Sequence, residues 1–590
     1  MPRLFLACRL LAPFALLGAC ASAPPDMPQV QADTALHVEV PQIARPDGET
    51  AQWWFRDGAA QAAQRGAMSG QARNVILFVG DGMSLTTVTA ARILAGQLGG
   101  STGEESRLAW EDFPATALVK TYNTDSQTPD SAGTMTAMAT GVKARRGVLN
   151  IGQQPRRGDC AGSKGNELLS LWQLAAAAGM PTGIVTTTAI SHATPASTFA
   201  HAADRNWEND SRVPMPAQAA GCIDIARQLV ETPYGHGPLV LMGGGRRDFL
   251  PREQADPEYP ELAGHRRDGR DLTAAWRDRH PTGAYVWNAA QLEAAPADAP
   301  LLGLFDHDHM QYEHERGDDR GGEPHLAQMT RAALARLAPQ GRDGKGYLLL
   351  VEAGRIDHAH HAGNAYRALV DTLAFDAAVR AAVELTSADD TLILVTADHG
   401  HTLSFGGYPA RGNPILGKVR EAGAQAPSLD ATGLPYTTLS YSNGPGYGGA
   451  SASQSAGAKR FPHRPQQYQS NQGRPDLSQL DTTDPDYLQE ALVPQGSESH
   501  GGDDVGLWAR GPGSAAVRGT IEQNVVFHLM LQATPRLRAA LCAKGGCNAD
   551  GVPVELPDAA AFQSRQAVPV RTAWPAPATR SPPEAAPALR

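Results

Sequence analysis

The chain has 590 residues, of which 42% are hydrophobic and 19% are charged. This composition is typical of a soluble globular protein, and the length suits one large domain with insertions or several domains. The net charge of −10 at pH 7 argues against a nucleic-acid-binding protein, because binding to phosphate backbones requires a basic surface.

The N-terminus has the pattern of a bacterial export signal. Basic residues flank a short apolar run, and residues 10–17 are too few to span a bilayer. The sequence Leu-Gly-Ala-Cys at 17–20 resembles the lipoprotein cleavage box, so we predict a signal peptide at 1–19 and a lipid anchor at Cys20. An ordinary signal peptide is the alternative. Because Ala21 is not an aspartate, we expect anchoring to the outer membrane, facing the periplasm or the cell surface.

Lipidation of Cys20 would leave an even number of cysteines in the mature chain: Cys160, Cys222, Cys542 and Cys547. An even number in an exported protein predicts two disulfides, for which the sequence allows three pairings. The short spacing of Cys542 and Cys547 favours a small closed loop, which leaves Cys160 to pair with Cys222.

Strand and helix patterns alternate along most of the chain. Residues 20–50, rich in Ala, Pro and Gln, are predicted to be a flexible tether, and 51–69 are predicted to be helical. Continuous apolar runs with Ala-rich helices between them predict strands that are buried on both faces, near 74–80, 182–187, 238–242, 346–351 and 391–396. This alternation predicts an α/β fold with a doubly wound, mostly parallel central sheet flanked by helices.

Two segments depart from this pattern. Residues 405–499 are rich in Gly, Pro, Ser, Tyr and Gln, which predicts an inserted, loop-rich subdomain. The sheet is expected to resume after it, so that 51–404 and 500–548 form the catalytic domain. Prolines and alanines at 563–590 predict a disordered tail.

Polar residues stand where three of the predicted strands end. Asp81 follows the first strand, Glu352 ends the fourth, and Asp398 and His399 follow the fifth. In doubly wound sheets the ligand site lies beyond the carboxyl ends of the strands. One such aspartate could be a helix cap, but three strand ends with carboxylates and imidazole predict a metal site.

A second set of metal-type ligands follows Glu352. Asp357 and His361 are four residues apart, which puts both side chains on one face of the predicted helix. A charged, solvated helix start is the alternative. Because two ligands do not complete a zinc site, His500, directly after the insert, is the candidate third ligand.

Three further residues suit phosphoryl chemistry. Ser131 is predicted at a helix N-terminus, which favours anions, and no Gly-x-Ser-x-Gly motif surrounds it, so a metal is the expected activator. Thr194 offers a hydroxyl to Mg²⁺, and Arg205 suits bidentate contact with a phosphoryl group. Alone, Ser131 could be a simple cap and Arg205 a surface residue.

These motifs together resemble the alkaline phosphatase family, from about residue 50 to 545. The resemblance rests on Val79-Gly-Asp-Gly-Met, Pro129-Asp-Ser-Ala, His192-Ala-Thr-Pro-Ala, Val351-Glu-Ala-Gly-Arg-Ile-Asp-His-Ala-His-His, Val395-Thr-Ala-Asp-His-Gly-His and Ser499-His-Gly-Gly-Asp-Asp. His192 and His358 stand where the enteric form has Asp and Lys, which favours the animal-like branch. The insert resembles the crown of that branch at Phe405-Gly-Gly-Tyr-Pro and Asn443-Gly-Pro-Gly-Tyr.

The resemblance implies hydrolysis of phosphate monoesters through a phosphoserine, at a site with two Zn²⁺ and one Mg²⁺. Ser131 would be the nucleophile and Arg205 the phosphate clamp. One zinc would be held by Asp357, His361 and His500, and the second by Asp81, Asp398 and His399. The Mg²⁺ would be held by Asp81, Thr194 and Glu352. His192 and His358 would lie next to the metal ligands and orient them without binding a metal themselves.

The resemblance also implies a homodimer, and the cysteine pairing of animal-like members fits Cys160–Cys222 and Cys542–Cys547. Some members of the branch carry a Ca²⁺ site. Glu258, Phe305 and Asp306 fall at roughly matching positions, although the loop at 306–313 departs from the expected pattern.

Two alternatives concern function. A phosphodiesterase or sulfatase could use the same metal scaffold, although Ser131 lacks the Cys-x-Pro-x-Arg context of sulfatases. A non-catalytic lipoprotein that binds phosphate or metal would not depend on Ser131.

Overall fold

The computed structural model describes residues 49–471 and 473–564. The predicted signal peptide, Cys20, nearly all of the tether and the tail from residue 565 lie outside this range. No helix among the described residues is long and apolar enough to cross a membrane.

The strands of the described residues are β1 Asn74–Gly80, β2 Ala115–Lys120, β3 Thr182–Ala189, β4 Val240–Gly244, β5 Ala284–Val286, β6 Leu301–Leu304, β7 Leu348–Ala353, β8 Thr391–Ala397, β9 Gly400–His401, β10 Leu403–Phe405, β11 Leu439–Gly444, β12 Ala491–Pro494, β13 His500–Gly501, β14 Val505–Arg510 and β15 Arg518–Glu522.

The α-helices of the same residues are α1 Ala51–Gln64, α2 Leu85–Leu98, α3 Ser131–Thr140, α4 Cys160–Ser163, α5 Leu171–Ala177, α6 Ala193–Ala196, α7 Met215–Ala219, α8 Ile225–Val230, α9 Arg246–Phe249, α10 Leu272–Arg279, α11 Ala289–Ala294, α12 Leu326–Gln340, α13 Arg355–His361, α14 Ala365–Leu385, α15 Val525–Ala533 and α16 Pro535–Cys542. Short 3₁₀ turns lie at Ala67–Ser69, Ala109–Asp112, Asp210–Arg212, Arg316–Asp318, Ser514–Ala516 and Ala559–Phe562.

Ten strands form one sheet, in the order β15-β2-β14-β8-β1-β7-β3-β4-β6-β5. Only β14 runs antiparallel to its neighbours within this sheet, and all other pairings are parallel. Every residue of the central strands β1, β7 and β8 is buried, as their continuous apolar sequences predict. The predicted α/β fold with a mostly parallel sheet flanked by helices is therefore confirmed.

A second, smaller sheet lies in the region that the sequence marks as an insert and begins two residues before it. It contains β10, β11 and β12, with β11 antiparallel to β10 and parallel to β12. Much of the remaining insert lacks regular secondary structure, in keeping with its Gly- and Pro-rich composition. The structure joins Cys160 to Cys222 and Cys542 to Cys547 by disulfides.

Candidate metal centre

The three strands that end in acidic residues are neighbours at the centre of the sheet, in the order β8-β1-β7. Their register places Gly80 opposite both Ala353 and Ala397. Asp81 follows Gly80, Asp398 follows Ala397, and Glu352 precedes Ala353. The pairing of parallel strands therefore delivers three carboxylates to one edge of the sheet, as the rule for such folds predicts.

The turn after β1 needs a glycine at position 82. Gly82 has φ +70°, and a Cβ atom there would collide with the ring of His401. The Gly82 N–H donates to Asp398 Oδ1 over 3.0 Å. This turn thus holds the carboxylate of Asp398, which follows β8, against the backbone that follows β1.

Asp357, His361 and His500 lie together and form the first cluster. His500 Nε2 lies 3.0 Å from His361 Nε2 and 3.3 Å from Asp357 Oδ1, and His361 Nε2 lies 3.4 Å from the same oxygen. Zinc bonds of about 2.0–2.1 Å in a tetrahedron separate neighbouring ligand atoms by about 3.3 Å. The three atoms are therefore spaced as ligands of one zinc ion.

The tautomers of the two histidines suit this role. His361 Nδ1 faces the carbonyl of Glu498 at 2.5 Å, and His500 Nδ1 faces the carbonyl of Pro129 at 2.8 Å. Because a carbonyl only accepts, each Nδ1 carries the proton and each Nε2 lone pair is free for a metal.

His401 and Glu498 hold this cluster in place through hydrogen bonds. No role for either residue was predicted from the sequence. His401 Nε2 lies 2.8 Å from Asp357 Oδ1, and its Nδ1 lies 2.5 Å from Glu498 Oε2. Although burial lowers it, Glu498 and Asp357 raise the pKa of His401 to about 10. Both ring nitrogens of His401 thus face carboxylate oxygens, so it orients Asp357 and does not offer a free lone pair to a metal. The two-residue strands β9 and β13 pair His401 with His500.

Asp81, Asp398 and His399 form the second cluster. His399 Nε2 lies 3.4 Å from Asp81 Oδ1 and 3.3 Å from Asp398 Oδ2, and all three side chains are buried. Ser131 Oγ lies 3.2 Å from the same nitrogen. The predicted nucleophile is thus within reach of the second predicted metal position. The rings of His399 and His500 stack at 3.6 Å between centroids, which joins the two clusters.

The third predicted position contains buried oxygens that lack hydrogen-bond partners among the described residues. They are both carboxylate oxygens of Asp81, Thr194 Oγ1 and Glu352 Oε1. Thr186 and Thr188 donate to the other Glu352 oxygen, which orients this carboxylate. Buried polar atoms are normally satisfied, so orphaned hard oxygens fit a hard cation such as Mg²⁺. His192 lies close enough to Asp81 and Glu352 to share this group.

Burial and mutual repulsion shift the carboxyl groups of this edge. Burial, followed by repulsion from Asp398, Asp357 and Glu352, raises the pKa of Asp81 well above its usual value. Burial also raises the pKa of Glu352, to about 7, and that of Asp398. Carboxylates gathered in this way need a compensating positive charge in order to ionise, which bound cations would supply.

Ser131 is the first residue of helix α3. Asp130 caps this helix by accepting from the Gly133 N–H at 3.2 Å, and it also accepts from Gly147 N–H at 2.9 Å. Arg205 donates to Asp130 Oδ2 over 3.1 Å and to His192 Nε2 over 2.8 Å. These contacts hold the guanidinium near the start of the helix that carries Ser131, where an anion is favoured.

Histidines outside the ligand clusters have other contacts. His358 packs with His309 and His192, with ring centroids 4.4 Å and 5.6 Å away, and Arg355 donates to its Nδ1. His360, to which the sequence gave no role, bonds to Thr87 Oγ1 at 3.0 Å and to Tyr441 OH at 2.7 Å.

The positions matched to a Ca²⁺ site are only partly brought together. Asp306 groups with Asp319 and Glu323. Glu258 instead forms an ion pair with the buried Arg246, which already provides it with a positive charge. Phe305 is buried beside this region. Calcium binding stays a prediction.

Comparisons with known proteins show the family of the chain. The model of the family described as alkaline phosphatase matches residues 72–535. The chain is 42% identical over 470 residues to the tissue-nonspecific alkaline phosphatase of Gallus gallus, covering 78% of this chain and 84% of that one. It is 43% identical over 470 residues to the alkaline phosphatase of Gadus morhua, covering 78% and 92%.

A solved structure, the alkaline phosphatase of Thermus thermophilus, matches with a TM-score of 0.54 and 26% identity, over 79% of this chain and 92% of that one. The matched family model spans well over half of the chain and includes every residue of the three clusters. With that match, and with relatives above 40% identity over most of its length, the chain belongs to the alkaline phosphatase family and is a phosphatase.

Proposed function

We propose that this protein hydrolyses phosphate monoesters through a covalent phosphoserine at Ser131, at a site that holds two Zn²⁺ and one Mg²⁺. The observation that carries the proposal is the position of Ser131 Oγ, 3.2 Å from His399 at the start of helix α3. A hydroxyl at a helix N-terminus, beside metal-type ligands and an arginine, suits attack on a phosphoryl group.

The proposed hydrolysis takes place in two phosphoryl-transfer steps. Ser131 Oγ loses its proton and bonds to phosphorus as the ester P–O bond breaks, and the leaving alkoxide takes up a proton. Water then attacks the phosphoserine from the side that the alcohol has left, which regenerates Ser131 and releases inorganic phosphate. Arg205 and the first N–H groups of α3 hold the equatorial oxygens and offset the charge that develops on them.

The proposed metals are assigned to the ligand clusters. Asp357, His361 and His500 would hold one zinc, Asp81, Asp398 and His399 the other, and Asp81, Thr194 and Glu352 the Mg²⁺. When bound, these ions lower the pKa of hydroxyl groups and neutralise oxygens that gain charge. His192 would support the third position without binding the ion: Arg205 donates to its Nε2, so its unpartnered Nδ1 carries the proton and can only donate.

A preference for phosphate monoesters over diesters would distinguish this proposal from the phosphodiesterase alternative. Purified metal-loaded enzyme should hydrolyse p-nitrophenyl phosphate with a kcat/KM at least about 100-fold above that for bis(p-nitrophenyl) phosphate, because Arg205 and the helix start suit a dianionic group. Both assays follow release of p-nitrophenol. Faster hydrolysis of the diester would contradict the proposal.

We also propose, from the sequence and the family resemblance, that the protein is an exported, outer-membrane-anchored lipoprotein and a homodimer. If Cys20 carries the lipid, Cys20→Ala should shift the protein from the membrane fraction to the soluble fraction. Lipid adds about 0.8 kcal/mol of membrane affinity for each buried CH₂ group. Membrane retention of the variant would instead favour another means of attachment.

A further inference from the structure

A cavity of about 770 Å³ opens beside the first cluster. Helix α13 contributes His358 and His361 to its lining, and the loop at 461–466 of the insert forms another wall together with Tyr312. Its volume is in the range of about 300–1,000 Å³ that is typical of small-molecule sites. It is therefore large enough for a ring with a further substituent.

The cavity lies at the far end of a row of contacts that begins at Ser131. Ser131 Oγ contacts His399, the ring of His399 stacks on that of His500, and His500 Nε2 lies 3.0 Å from His361, which lines the cavity. In-line displacement sends the leaving oxygen to the side of phosphorus opposite the attacking oxygen. The cavity is thus placed to receive the leaving group.

Two arginines of the lining lack an acidic partner among the described residues. Arg355 and Arg464 form no ion pair with an acidic residue within the described ranges, and Arg355 Nε is buried without a hydrogen-bond partner there. The guanidinium of Arg355 lies 3.8 Å from the ring centroid of Tyr312. The acids of the lining, Asp308 and Glu315, each pair with an arginine that does not line the cavity, Arg247 and Arg367 respectively, and Arg367 also pairs with Asp486.

We propose that this cavity is a leaving-group subsite that favours phosphate monoesters whose alcohol carries a second anionic group, a carboxylate or a phosphate. The inference rests on the proposed function. Two guanidinium groups without acidic partners attract an anion, and Arg forks match carboxylate and phosphate equally well. Because Arg464 is on the insert, the insert would select the substrate.

The test uses aryl esters of similar size on the metal-loaded full chain. 4-Carbamoylphenyl phosphate has a neutral leaving group, 4-carboxyphenyl phosphate an anionic one, and 1,4-phenylene bisphosphate carries a second phosphate. We expect kcat/KM for each anionic ester to exceed that for the carbamoyl ester by about threefold to tenfold, after correction for the two equivalent esters of the bisphosphate. The difference should appear in KM, because the anion is bound throughout the reaction.

Arg464→Gln should reduce this preference at least about threefold, and Arg464→Lys should retain most of it. Arg460→Gln is the matched control: it removes a charge from the same region, but Arg460 pairs with Asp484 and does not line the cavity. Equal preferences in wild type and Arg464→Gln, or an equal loss in Arg460→Gln, would overturn the subsite. If only one anionic ester is preferred, the subsite is specific for that group. Failure of wild type to hydrolyse any of the esters would instead refute the proposed function.

Discussion

Ser131→Ala is expected to lower kcat for phosphate monoesters by about 10⁴-fold or more, with the metal content unchanged. The variant removes the only protein atom proposed to bond to phosphorus. It leaves intact Asp81, Asp398 and His399, in which His399 Nε2 lies 3.4 Å and 3.3 Å from the two carboxylates. Turnover of p-nitrophenyl phosphate and metal analysis of the same preparation would measure both quantities.

The intermediate gives a second, independent measurement. Rapid acid quenching with ³²P-labelled substrate should trap label on wild-type protein and none on Ser131→Ala. Ser126→Ala is the control, since this residue is five positions upstream and donates to the Thr128 carbonyl, away from the clusters. Wild-type activity in Ser131→Ala would favour direct attack by water, or a protein that binds phosphate without this nucleophile.

The carboxylates at strand ends are the part of the site whose positions follow most directly from the sequence. The buried strands β1, β7 and β8 have continuous apolar sequences, so the positions of Asp81, Glu352 and Asp398 follow from where those runs stop. The adjacency of the three strands does not follow from sequence, because pairing order depends on the whole fold. The short alternating strand β2, with its partly exposed face, gave no comparable signal.

Contacts between residues that are far apart in the sequence could not be predicted from the ends of apolar runs. Glu498 lies 97 residues beyond His401, and only the folded insert brings its carboxylate to that ring. The motif that contains His401 was visible, but its protonation depends on two carboxylates from other segments. The unpaired charge of Arg464 is likewise visible only after the partners of neighbouring side chains are known.

The second large effect is expected at the cluster of Asp357, His361 and His500. His500→Ala should lower bound zinc from two ions to one per chain and reduce kcat/KM by at least about 100-fold. Two ligands are too few for a stable zinc site, and His500 is the member that reaches the cluster from outside helix α13. Metal content would be measured by mass spectrometry after dialysis against metal-free buffer.

The matched control is His325→Ala, which removes a half-exposed imidazole that contacts Glu313 outside the three clusters. This variant should keep wild-type zinc and activity. His401→Asn should have an intermediate effect, since it removes the brace of Asp357 but no ligand, and zinc should be retained less tightly by about 10- to 100-fold. Two tightly bound zinc ions in His500→Ala would show that the three atoms, despite their spacing of 3.0–3.4 Å, do not form a single zinc site.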